Sequence, residues 1–379
     1  MREVAIYRHN LFRVSEPFIT QQAQGLQRYR PVYLGRLRMG PAPPGAEFLA
    51  LEDLAPPRLK LLPAGWHLLS ASPHPYLYML EGRRPALIHA HFGVDGLHAL
   101  PLAARLGVPL VTTFHGFDAT LGTPGLLANP AWARYALRRG RLAAQGGLFL
   151  AASAFLRRKL LDLDFPPERV RVHYIGVDTR AIMPRAPAEE EEVILHVARL
   201  EPVKGTEILI RAFAQLAPRY AQARLVIIGE GGLRKSLQRL ARESGAGERI
   251  VFLGARPHPE VLAWMRRAAM LVLPSVRTSS GREEGLGMVL LEAAATGVPG
   301  IGSRVGGIAE GIAEGKSGFV VPERDPDSLA HAIATLLANP GLRQRMGAAE
   351  RQQVERYFDL SRQTAALEDL YDAMLDGRG

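Results

Sequence analysis

EEGLGMVLLEAAATGVPGIGSRVGG, residues 283–307, decides how the chain reads. Two carboxylates and a Gly-Leu-Gly turn open the stretch. A run of good helix formers follows from Met288 to Ala295, and Gly297 with Pro299 stops it. Glu284 therefore sits at the mouth of a helix and Glu292 inside it. Eight residues of helix rise by roughly 12 Å. The mouth offers free backbone N–H groups and the positive end of the helix dipole. Glu283 reads equally well as a solvated acidic cap. Glu292 does not, because it stands in an otherwise apolar run and needs a partner.

The stretch resembles the Glu-x7-Glu motif of retaining glycosyltransferases with the GT-B fold, those of glycosyltransferase family 4. The match takes in the Gly-rich turn, the Ala after the second Glu, the Gly-x-Pro at 297–299 and Gly306-Gly307. The resemblance implies an α/β chain of GT-B type: two Rossmann-like domains facing each other across a cleft, with a C-terminal helix crossing back to the first domain. The helix length then matches the span from sugar to ribose of an extended sugar nucleotide. One departure is Gly300, where the family usually has a β-branched residue; a local packing effect is expected there.

At 379 residues and 47% apolar content the chain can hold two domains of ordinary size. No run approaches the ~18 apolar residues that a membrane span needs. MREVAIYRHN reads as a first strand and not as a signal peptide. The absence of cysteine excludes disulfides, thiolate catalysis and Cys-ligated metals, and fits the cytoplasm. Arginine outnumbers lysine 42 to 5. The charge is uneven: residues 1–180 hold 22 Lys and Arg against 12 Asp and Glu, while residues 181–379 hold 25 of each. The first half therefore expects an anionic partner: a membrane surface, a nucleic acid or a phosphorylated substrate.

In that half, residues 3–7 make a short strand. Ser15 or Glu16 can cap the helix that Pro17 begins. Ser15-Glu16-Pro-Phe-Ile also resembles the opening of exopolysaccharide and colanic-acid type glycosyltransferases, which implies an acceptor-side position. Residues 31–36 and 47–51 read as strands, and 64–82 as a helix broken by Pro73 and Pro75. Strand 86–90, helix 95–106 and strand 108–114 make a parallel βαβ unit. His91 and His115 fall beyond the carboxyl ends of its strands, where open parallel sheets place their sites. A packing or capping role stands beside a functional one for His91. Thr-x-His-Gly at 113–116 resembles the family position whose histidine contacts the donor sugar, so His115 carries that expectation. Asp118 can orient His115 or cap the next helix. The helix over 130–145 carries Arg134, Arg138, Arg139 and Arg141 with Trp132 and Tyr135. It can lie on an anionic membrane or form a solvated face. Asp162 and Asp164 spell Asp-x-Asp, but they end a helix ahead of two prolines rather than closing a strand, so no metal site is assigned.

In the second half, strand 193–198 ends at Arg199, and Lys204 precedes a helix from Thr206. Two cations beside a helix N-terminus suit a diphosphate, and they resemble the family's Arg…Lys pair. The Gly229-Glu-Gly231-Gly232 loop permits close approach to a phosphate or ribose. The 254–258 loop, with Arg256, occupies the family's base-holding place. Strand 298–302, helix 306–313, strand 318–321 and helix 326–338 follow. Residues 342–357 and 360–375 read as two amphipathic helices.

Four segments result: an acceptor-side domain over 1–182, a linker over 183–192, a nucleotide-sugar domain over 193–357 and a returning helix over 358–379. The resemblance covers nearly the whole chain, most strongly 193–322. It implies a metal-independent transferase using a nucleoside diphosphate sugar, a UDP-sugar by preference, with a glycan or polyprenyl-linked acceptor and no cofactor. Arg199 and Lys204 would stabilise the departing diphosphate and Glu292 would bind the ribose. Glu284 and the backbone of Gly285, Leu286 and Gly287 would hold the sugar, and His115 would position it. Gly231 and Arg256 complete the donor side; Ser15, Glu16, His91 and Asp118 form the acceptor side. A nucleotide-sugar epimerase of similar fold and a basic nucleic-acid-binding protein are the rival readings, although no nucleic-acid motif supports the second. The expected location is cytoplasmic, with peripheral attachment to the inner face of the membrane.

Overall fold

Short apolar runs such as LVTTF at 110–114 and MLVL at 270–273 are buried along their whole length, as strands covered on both faces must be. In the structure, a computed structural model that describes residues 1–186 and 189–377, they pair in parallel in two large sheets. The chain divides into two units, one of Met1–Gly176 with the C-terminal segment from Leu360, the other of Val177–Asp359.

The first unit's sheet contains β1 (Arg2–Tyr7), β2 (Tyr29–Gly35), β3 (Glu47–Ala50), β4 (Leu87–His91), β5 (Leu110–Phe114), β6 (Leu148–Ala151) and β7 (Val170–Val172). Their order is β3-β2-β1-β4-β5-β6-β7. The second unit's sheet contains β8 (Val193–Val197), β9 (Arg224–Ile228), β10 (Ile250–Gly254), β11 (Met270–Leu273), β12 (Gly300–Ser303) and β13 (Gly318–Val321), in the order β10-β9-β8-β11-β12-β13. Each sheet reverses its strand order beside its first strand. Beyond the carboxyl ends at such a reversal, loops part and a ligand site opens.

The helix Leu360–Leu375 belongs to the first unit. Leu367 and Tyr371 are buried in that unit's core. The Tyr371 hydroxyl lies 2.5 Å from His89 Nδ1 on β4, and Glu368 accepts from the backbone N–H groups of Gln27 and Arg28 at 2.8 and 2.6 Å.

Two expectations need correction. The change of unit falls at Gly176–Val177, ahead of the 183–192 stretch read as a linker. Part of that stretch, 187–188, lies outside the described residues. Its acidic run is engaged within the second unit: Glu189 pairs with Arg266, Glu190 with Arg185 and Arg343, and Glu191 with Arg267 and Arg224. Charges that read as a solvated tether are thus fastened by arginines distant in sequence. The second correction concerns 306–313, which forms a single 3-10 turn, Ile308–Glu310, instead of a helix. Its first residues are committed elsewhere: Gly307 N–H donates to the Glu284 carbonyl at 3.0 Å, and a Cβ on Gly306 would strike that same oxygen.

At Gly300 the space of a side chain is already taken. A Cβ there would stand 2.9 Å from Leu290 Cδ2 and 3.1 Å from Glu350 Oε1. Glu350 lies buried on the helix Pro340–Tyr357, and burial raises its carboxyl well above the ordinary range.

Leu367→Ala removes a buried side chain at the seam between the returning helix and the first sheet. It should destabilise the first unit by about 2–5 kcal/mol, read as a lowered midpoint in chemical denaturation followed through Trp66 and Trp132.

Candidate functional site

In the second unit, the loops beyond β8 and β11 converge on Glu284. Lys204 ends the one-turn helix Pro202–Lys204, and its Nζ lies 2.5 Å from Glu284 Oε2, each side chain 17% exposed. Arg199 Nη1 donates to Glu201 Oε1 at 2.6 Å, and Arg282 Nη1 sits 2.9 Å from Glu201 Oε2. Burial opposes the charge on Glu284, yet Lys204, and after it Arg282 and Arg199, hold its carboxyl below the usual value. Three cations and two carboxylates thus meet ahead of the helix Met288–Ala295. The surplus is positive, as a site for a diphosphate requires. Glu283 is no solvated cap: its carboxylate is mostly buried, 3.6 Å from Arg277.

The backbone around Glu284 is fixed from the far side by the Gly306-Gly307 contact. Gly285, Leu286 and Gly287 are all buried, and with two glycines the segment contributes mainly backbone to the site. Gly231 lies against Leu200: a Cβ would meet the Leu200 backbone, and Leu200 N–H donates to the Glu230 carbonyl at 2.8 Å. The Gly-rich loop is thereby seated on the loop that carries Arg199 and Lys204.

Glu292 has a partner that the sequence reading missed. His258 Nε2, at the start of the helix His258–Arg267, stands 3.0 Å from Glu292 Oε1. The hydrogen bond to Glu292 raises the His258 pKa above 6.5 against the opposing effect of burial. The sequence signal was the need of Glu292 for a partner, together with helices that precede and follow β11. Arg256 is 3.8 Å from Glu260, both side chains exposed, and among the described residues no hydrogen bond joins it to Glu292.

In the first unit, His91 ends β4 and His115 follows β5. His91 Nδ1 and His115 Nε2 are 3.0 Å apart, with the rings stacked at 17°. Burial pushes both well below 6.5, so the pair is neutral near pH 7. His115 Nδ1 has no hydrogen-bond partner among the described residues. Phe18 and Phe92 flank its ring at 4.9 and 4.7 Å. Asp118 does not touch the His115 ring; its carboxylate instead caps the starts of the helices Gly93–Leu106 and Phe117–Thr120. Its oxygens accept from the backbone N–H groups of Gly93 and Gly116 at 2.9 Å each and of His115 at 3.3 Å. Burial outweighs these bonds and lifts its pKa to about 6.

The capping role expected of Ser15 or Glu16 is not filled. Ser15 is exposed, and Glu16, at the cap position of the helix Pro17–Gln24, gives its carboxylate to Arg8 at 2.8 and 3.0 Å. Arg8 is buried and also binds Asp95 at 2.6 Å, while His9 Nδ1 lies 2.5 Å from that same Asp95. A buried guanidinium demands anions more strongly than a helix end demands a cap. Nothing local in the sequence marked the partnership, which spans 87 residues. No group of three or more His, Asp or Glu placed to hold a metal ion occurs among the described residues.

Two Rossmann-like units, with a cation-rich cluster at the mouth of a helix beyond one sheet's carboxyl edge, define the GT-B class of glycosyltransferase. Residues 22–181 match the sequence model of Glycosyltransferase Family 4, and residues 178–353 that of Glycosyl transferases group 1. The chain is 33% identical over 303 residues to the GDP-mannose-dependent alpha-(1-6)-phosphatidylinositol monomannoside mannosyltransferase of Mycolicibacterium smegmatis, covering 73% of this chain and 77% of that one. It is 32% identical over 284 residues to the D-inositol 3-phosphate glycosyltransferase of Frankia alni, covering 69% and 68%. Anabaena HepE, solved in complex with UDP, shares the fold with a TM-score of 0.76 at 19% identity, over 98% of this chain and all of that one. The chain belongs to glycosyltransferase family 4. It is a transferase, and the epimerase and nucleic-acid readings fall.

Two outcomes check the site's internal geometry. Asp118→Ala leaves three backbone N–H groups without their acceptor and should lower stability by about 2–4 kcal/mol, read by thermal unfolding. A histidine whose folded pKa is raised adds stability that is full below its unfolded value and fades as pH climbs through the folded one. The stability gap between the natural chain and Glu292→Gln should therefore be widest near about pH 6 and close above the His258 midpoint. An NMR titration should show that midpoint falling in the variant.

Proposed function

We propose that this glycosyltransferase moves a hexose-type sugar from a nucleoside diphosphate sugar to a glycan or lipid-linked acceptor in polysaccharide biosynthesis, with retention at the anomeric carbon and no metal requirement. The observation that carries the reading is the positive surplus around Glu284 at the mouth of the helix that bears Glu292. Arg199 and Lys204 take up the charge that develops on the departing diphosphate; such preorganised stabilisation is usually the largest single contribution to catalysis. Glu292 accepts hydrogen bonds from the ribose hydroxyls, and His258 hands over its hold on that carboxylate. Glu284 and the backbone of 285–287 hold the sugar. His115 positions the sugar. The sugar's C1–O bond to the diphosphate breaks as the acceptor hydroxyl bonds to C1 on the same face, and an oxygen of the departing phosphate takes the hydroxyl proton.

A UDP-sugar is the donor in this reading, supported by the likeness in fold to a protein solved with UDP. The mycobacterial relative, GDP-mannose-dependent by name, supplies the comparison nucleotide. Calorimetric titration with UDP- and GDP-sugars separates the two. Glu292→Ala should weaken binding of the preferred donor by about 2–3 kcal/mol while thermal unfolding, followed at a pH above the His258 midpoint, changes little; unchanged affinity would sink the ribose assignment. Turnover should survive chelation by EDTA, and NMR of the product should show the donor's anomeric configuration.

A further inference from the structure

A surface helix ordinarily turns its apolar stripe inward. The helix Leu61–Ser70 of the first unit does the reverse. Its inward residues are Ala64 and His67. Outward, at helical spacing, stand Leu62, Trp66 and Leu69, the last two 52% and 80% exposed, with Leu61 beside them. The helix cannot roll to bury this stripe, because buried His67 is fastened at both ring nitrogens, to the Tyr7 hydroxyl at 2.8 Å and the Ser72 carbonyl at 3.0 Å. Tyr78, on the next helix, His74–Leu80, adds an aromatic ring that is 76% exposed. Clustered exposure on this scale marks a surface meant to be covered.

The basic helix Pro130–Gln145 borders the stripe. Arg134 Nη1 donates to the Leu69 carbonyl at 2.9 Å. Arg134, Arg138 and Arg141 recur at helical spacing on one face, and none of the three has an ion-pair partner among the described residues. Burial, with Arg138 and Arg141 after it, lowers the Arg134 pKa, which places the three guanidinium groups within each other's field. Leu137, 73% exposed, stands among them.

We infer that this face docks on a bilayer containing anionic lipids. Leu62, Trp66, Leu69 and Tyr78 enter the interface, and Arg138 and Arg141 meet the headgroups. Charge decides the occupant: a second copy would bring the same unpaired arginines against themselves, whereas an anionic leaflet complements them. Trp and Tyr beside leucines are the residues that settle at the boundary between headgroup and acyl chain. The sequence pointed only to the arginines; the apolar wedge shows only when the helix orientation is known. The inference does not rest on the donor reading, and vesicle binding without donor tests it alone.

The experiment is co-sedimentation of the full chain with phosphatidylcholine vesicles and with equimolar phosphatidylcholine–phosphatidylglycerol vesicles. Binding should require the anionic lipid, fall with added salt, and shift Trp66 fluorescence to the blue. Arg138→Ser with Arg141→Ser should weaken anionic-vesicle binding about tenfold or more. Leu62→Ser with Trp66→Ser should abolish most of the binding, while melting temperature and donor affinity stay unchanged, since both positions face outward. Equal recovery with the two vesicle types would overturn the inference. So would a concentration-dependent dimer that the Leu62/Trp66 variant abolishes, which would assign the face to a second copy.

Discussion

The second unit's site depends on one ion pair, Lys204 with Glu284, which joins two loops whose residues are 80 apart in sequence. Bringing two charges out of water is costly unless the geometry is good and the surroundings supply more partners. Here Arg282 and Arg199 add to the field on Glu284, and Gly306-Gly307 grips its carbonyl from behind. The backbone of 285–287 inherits its position from that arrangement. The helix bearing Glu292 starts where it does because the turn before it is held on both sides.

The two units solve similar problems with opposite chemistry. The second concentrates exposed or half-buried charge, suited to meeting an anion. The first buries its polar groups: a neutral His91–His115 pair, a carboxylate on three backbone amides, and Arg8 between Glu16 and Asp95. A neutral imidazole keeps one nitrogen as donor and one as acceptor, which suits hydroxyl groups more than phosphates. This division of labour follows from burial and not from residue type, since both units use His, Arg and carboxylates.

Much of this was legible in the sequence. Period and strand length gave nearly every element of the two sheets, and the Glu284–Glu292 stretch pointed to the family before any coordinate was needed. What stayed hidden was pairing at a distance. Glu292 plainly needed a partner, but nothing singled out His258 among the candidates. Arg8 looked like any early arginine, although it takes Glu16 away from the helix it was read to cap. The acidic run at 189–191 looked like a tether because its arginine partners are spread from Arg185 to Arg343. The 306–313 segment had helical periodicity, but its opening glycines were already spent on the Glu284 carbonyl. In each case local propensity yielded to a contact that the fold creates.

Gly300 carries a further consequence, one for the order in which such a chain can change. The carboxyl of Glu350 fills the volume in front of the strand that a β-branched side chain would occupy. A valine at 300 would collide with it, and a smaller residue at 350 alone would leave a void against a glycine. Leu290 stands closer still, so a side chain at 300 needs both Leu290 and Glu350 to give way. A lineage that settled on glycine here would keep it long after whatever favoured it had passed, because no single change elsewhere makes room for a side chain.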